Sequence, residues 1–206
     1  MKDKALSILK FVLAILLLPV VISVTVSFLE NISALSRNIS SAFGWGVISY
    51  LILHILLYEP TQVFDTGKKL TEKTIGFLSP WMKAAGFCLP IFTLLSFVVY
   101  YFASLIWKQY ELFPYFVFLA SFTFTMHMVF TANSLKKKQP GWLKENYFFS
   151  IFSIYIVNIL IIALAFSFLY HEFSLSVFFA RLGDVAGAIY TASFRQLFVV
   201  EGRPVQ

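Results

Sequence analysis

Between Lys10 and Glu30 the chain reads FVLAILLLPVVISVTVSFL, nineteen residues without a charge. As a helix rising 1.5 Å per residue this run covers about 28 Å, close to the thickness of a bilayer's hydrocarbon core. Comparable runs follow, so the expected spans lie at about 5–28, 42–58, 84–107, 115–133 and 147–170. The apolar residues come in continuous runs and not at one-face spacing, which makes lipid the solvent for most of the chain. Composition agrees: 59% of the 206 residues are hydrophobic and 13% charged, against about 45–50% and about 25% in soluble proteins. The expected fold is an all-α, polytopic membrane helix bundle of five transmembrane helices, forming one integral membrane domain over residues 1–206.

The charges orient it. Numbering the gaps between spans places eleven of the sixteen basic residues on the side of the N-terminus, leaving Arg37, Lys108, Arg181, Arg195 and Arg203 on the other. The acidic residues divide five to a side, so the whole net charge of +6 belongs to one face. By the positive-inside rule the N-terminus is cytoplasmic and the C-terminus outside. That also accounts for the basic balance without a nucleic-acid partner. Trp45 and Trp107 fall at outer span ends and Trp81 and Trp142 just before inner starts, the headgroup level that half-wet indole rings prefer. The first run exceeds the apolar core of about 7–15 residues of a secretion signal and no A-x-A site follows, so it reads as a retained span. The expected location is a plasma membrane or a bacterial inner membrane.

Two inner loops carry lysines: Lys68, Lys69 and Lys73 in the first, Lys136, Lys137 and Lys138 in the second. Each Lys near anionic lipid contributes about 1 kcal/mol of attraction, so these residues are expected to touch the inner leaflet and to anchor the topology.

Ionisable groups in lipid mark function because burying one is costly. Within the expected spans they are few: His54 in the second and His127 in the fourth, with Lys10 close enough to an end to snorkel. Neutral polar residues form helical seams. Thr123, His127 and Thr131 share a face of the fourth span, Tyr100 lies on a polar face of the third, and Asn158 is the principal amide of the fifth. Such a seam is either a solute path or a line of interhelical hydrogen bonds, and the second fits better because no carboxylate or Arg lies in the path. His54 and His127 fall at matching depth, which would suit axial ligands of a b-type haem. No third ligand accompanies them, so neither a metal nor a cofactor is expected. HExxH, GxSxG and CxxC are all absent from the sequence, Cys88 stands alone, and no enzyme activity is expected.

The last apolar stretch, VFFARLGDVAGAIYTASFRQLFVV (177–200), is different. Helical spacing puts Arg181, Asp184, Ala188, Thr191 and Arg195 on one stripe, with Gly183 and Gly187 forming a GxxxG notch that admits another helix. Crossing a bilayer would cost about 2.5–3.5 kcal/mol for each internal charge on the insertion scale. The expectation is therefore a C-terminal amphipathic interfacial helix over about 174–199 on the outer surface, with a re-entrant or sixth span as the alternative.

These features point to a non-catalytic membrane protein acting through membrane lipid or a partner membrane protein, as an accessory subunit of a membrane complex. The alternative is a small transporter or channel using the polar seams of the second to fourth helices.

Overall fold

A computed structural model describes residues 2–56, 66, 69, 87–107, 111–136 and 147–198, with side chains from Ala5 onward. Among them lie six helices and no strand: α1 Lys2–Ala34, α2 Arg37–Leu56, α3 Ile91–Ile106, α4 Phe113–Lys136, α5 Tyr147–Leu169 and α6 Leu175–Phe198. The expected all-α membrane bundle is what the structure shows. Five of its helices are long and apolar enough to cross a bilayer, but they are α1, α2, α4, α5 and α6.

The third expected span differs because of Pro90. Proline has no N–H and disfavours a helical conformation in the residue before it. Phe87 and Cys88 are helical, the chain breaks at Leu89–Pro90, and α3 starts only at Ile91. Its sixteen residues reach about 24 Å, short of a full hydrocarbon core. Proline inside α1 has no such effect. Pro19 sits mid-helix, and the hydroxyl of Ser23 donates to its carbonyl at 2.6 Å, one of the side-chain adjustments by which membrane helices accommodate proline.

The connection from α1 to α2 is two residues long. Ser36 begins α2 by accepting the N–H groups of Ile39 and Ser40, both at 3.0 Å. The first helix thus extends past its expected end at 28, and the second starts before 42.

Two packing centres build the bundle. α4 carries α2 and α3 against it, while α1 carries α5 and α6. The α2–α4 contact is close because of Gly46, where a methyl group would lie 1.9 Å from Ser121 Oγ and 2.3 Å from the Phe118 carbonyl oxygen. The halves join through aromatic rings, with Phe166 of α5 at the hub. It meets Phe28 of α1 at 6.1 Å, Phe97 of α3 edge-on at 5.3 Å, Phe116 of α4 at 6.1 Å and Phe173 at 5.8 Å. Edge-to-face and offset pairs of this kind are worth about 0.5–1.5 kcal/mol beyond the area they bury. Away from these centres the bundle exposes large apolar side chains such as Ile15, Ile52, Phe102 and Phe168. In water that surface would drive aggregation; in a bilayer it is the ordinary lipid-facing surface.

The C-terminal helix packs lengthwise along α1. Asn31 donates to the Ser174 carbonyl at 2.9 Å, Arg181 pairs with Glu30, and the Tyr190 hydroxyl donates to the Leu16 carbonyl. The contacts descend α1 from residue 31 to residue 16 as α6 advances from 174 to 190. The two helices are therefore antiparallel neighbours, and α6 runs beside α1 and not across its end.

Candidate functional site

The break at Pro90 creates the buried polar node. In a continuous helix the Phe87 carbonyl would accept the N–H of Ile91, but that N–H bonds Leu89 O at 2.9 Å. A buried carbonyl needs a donor. Two side chains converge on it: His127 Nε2 of α4 at 3.0 Å and Asn158 Nδ2 of α5 at 3.3 Å. Because a carbonyl can only accept, Nε2 carries the proton in this bond. Asn158 Nδ2 also donates to Ile154 O at 2.8 Å. Its Oδ1, with the residue at 0% exposure, has no partner among the described residues.

The other seam residues lie around this node. Thr123 Oγ1 donates to Leu119 O at 2.9 Å and lies 3.2 Å from Thr93 Oγ1, tying α4 to α3. Thr131 is buried, and among the described residues its hydroxyl has no partner. Tyr100 stacks on Phe116 at 4.6 Å, so its ring belongs to the aromatic core. His54 stacks on Tyr50 at 5.7 Å and meets the edge of Phe130 at 6.1 Å. Of these, the Thr123–Thr93 bond, the Tyr100–Phe116 stack and the His54–Phe130 contact join different helices. His127 Nε2, the atom a haem iron would bind, is committed to Phe87. Among the described residues no group of three or more His, Cys, Asp or Glu gathers as metal ligands would.

The second region is α6, whose two sides differ. Towards α1 it turns the buried Phe178, the half-buried Leu182, Val185 and Ile189, and the charged end of Arg181. Arg181 grips Glu30 with Nε at 2.5 Å from Oε2 and Nη2 at 2.9 Å from Oε1, a bidentate fork. On the opposite side Ala180, Gly183, Asp184, Gly187, Ala188, Thr191 and Arg195 are all exposed. A methyl group added at Gly183 or Gly187 would touch nothing within 4 Å. Arg181, Asp184, Ala188, Thr191 and Arg195 of the expected stripe are thus all exposed, with Arg181 reaching Glu30 of α1 from it.

Sequence reasoning missed Glu30 as the partner of Arg181. The only signal was that each is an isolated charge at the same expected level. It also missed a pocket of about 270 Å³ at the end of the bundle, between the last turns of α1 and the start of α6. Of the loop lysines, Lys69 and Lys136 are exposed helical residues; Lys68, Lys73, Lys137 and Lys138 lie outside the described residues. No protein-family model, curated protein or solved structure matches the chain.

Proposed function

We propose that this is a non-catalytic membrane subunit that acts by contact, and that the open side of α6 seats a helix of a partner membrane protein. The observation that carries this reading is Asp184. It is exposed on α6, three residues beyond an Arg181 already committed to Glu30, and among the described residues it has no ion pair of its own. A carboxylate at bilayer depth facing lipid is disfavoured by about 2.5–3.5 kcal/mol unless a partner satisfies it. Beside it, Gly183, Gly187 and Ala188 leave a shallow notch in which a second helix could approach closely. Arg195, eleven residues along, completes a surface with an acid towards one end and a base at the other.

The same packing supports a revised orientation. With the shorter α3 also carrying the chain across and α6 crossing beside α1, the end of α6 returns to the side of the N-terminus. Arg195 and Arg203 then join the eleven basic residues already on that side, leaving Arg37, Lys108 and Arg181 opposite. That distribution follows the positive-inside rule more closely than an outside C-terminus does, and it keeps the N-terminus cytoplasmic. The bilayer is that of a plasma membrane or a bacterial inner membrane.

A photoreactive residue at position 187, in full-length protein in its native membrane, tests the partner contact. The reading expects one discrete protein adduct that Asp184→Asn weakens, with none from position 102 on the lipid-facing side of α3. Equal, diffuse labelling from both positions would remove the basis for a docking face.

A further inference from the structure

The pocket at the end of the bundle has the make-up of a ligand site. α1 finishes there at Ala34, α5 ends at Leu169 and α6 begins at Leu175, so three helices that traverse a bilayer place it at headgroup level. Its walls include Ser27, Glu30, Glu172, Ser174 and Arg181. Three of these are charged, and they do not balance.

Glu30 is neutralised by the Arg181 fork. Glu172 is not matched by any cation: one oxygen accepts the Tyr170 hydroxyl at 3.1 Å, and no ion pair reaches it among the described residues. The pocket therefore carries one uncompensated negative charge. A second, independent feature lies in its wall. Ser23 and Thr25 donate to carbonyls four residues back, at 2.6 and 2.7 Å, the usual fate of a hydroxyl in a membrane helix. Ser27, one turn beyond Ser23 and 1% exposed, makes no such bond, and among the described residues its hydroxyl has no partner. A buried hydroxyl is disfavoured without a partner, so one that lines a cavity is poised for a ligand.

We propose that this pocket binds a primary ammonium group, held by the Glu172 carboxylate and the Ser27 hydroxyl beside the Glu30–Arg181 pair. A primary ammonium has three N–H donors and one positive charge, which meets both unmet needs: the free carboxylate and the free hydroxyl. A quaternary ammonium carries the charge but has no donor. The guanidinium of Arg181 retains N–H groups beyond the two given to Glu30, so a phosphate attached two carbons from the ammonium also finds a partner. The ammonium can come from an aminophospholipid headgroup or from a free small amine.

The experiment titrates purified full-length protein with ethanolamine and with choline. In parallel, it measures binding in phosphatidylcholine nanodiscs with and without phosphatidylethanolamine, reading saturable binding and the shift in Tm. Binding of the primary amine, with choline and phosphatidylcholine inactive, is the expected result. Ethanolamine acting alone identifies a free amine as the source, and activity confined to phosphatidylethanolamine identifies the lipid. Glu172→Gln and Ser27→Ala should each weaken binding about tenfold. Without ligand, Ser27→Ala should have a Tm equal to or above that of the parent, because it removes an unpartnered buried group. Glu172→Gln, on an exposed loop, gives the same test independently of α1. The proposal is overturned if choline binds as well as ethanolamine, if no amine binds in either setting, or if Glu172→Gln binds as tightly as the parent.

Discussion

Arg181 on α6 and Glu30 on α1, separated by 151 residues of sequence, form a two-bond ion pair at 2.5 and 2.9 Å. Both side chains are about half exposed, at 47% and 48%, so the pair fixes the register of α6 on α1 more than it supplies stability. Charge removal tests it. Glu30→Gln and Arg181→Gln should each lower the Tm in detergent modestly. The exchanged pair, Glu30→Arg with Arg181→Glu, should recover more than half of the loss seen in either single reversal, and high salt should shrink the difference. Thermal melts of the parent and these five variants measure it.

Gly46 reports on the α2–α4 contact. A methyl group there meets a backbone oxygen at 2.3 Å as well as a side chain, and backbone cannot swing away. Gly46→Ala should destabilise the protein by about 1–3 kcal/mol. Pairing it with Ser121→Gly should recover only part of this, since the Phe118 carbonyl remains. Gly187→Ala is the matched control: with nothing within 4 Å it should leave the Tm unchanged or slightly raised through helix propensity.

The node at Phe87 predicts a graded response. His127→Leu removes the Nε2 donor from the Phe87 carbonyl and should cost about 1–3 kcal/mol. His127→Gln, which keeps a donor on a side chain of comparable reach, should cost less. Chemical denaturation in a fixed detergent compares the two. A result in which Leu is the better tolerated would mean that the bond to Phe87 contributes nothing.

The long apolar runs of α1, α4 and α5 were readable because hydrophobic length alone specifies a membrane helix. The α3 region was not, since composition extends the run to residue 84 while the break at Pro90 is a backbone effect that a hydropathy pattern does not register. His127 and Asn158 stood out as polar groups in apolar runs, but their common partner is a main-chain carbonyl, and every residue has one. α6 shows the same limit in another form. Its charges, each taken alone, argue for a helix lying on the membrane; the Arg181–Glu30 pair would lower the cost of a crossing, and it joins two helices that sequence cannot bring together. Asp184 has no ion pair of its own among the described residues, and for that reason it carries the functional proposal.

Whether α6 crosses beside α1 is tested most directly by labelling its far end. In a background with Cys88 replaced by Ser, single cysteines at Leu6, Ser36 and Phe198 would be treated with a membrane-impermeant maleimide in sealed vesicles of known orientation. Position 198 should label from the same side as position 6 and opposite to position 36, because α6 runs antiparallel beside α1. Labelling of position 198 from the side of position 36 would contradict the crossing helix and would remove Asp184 from bilayer depth.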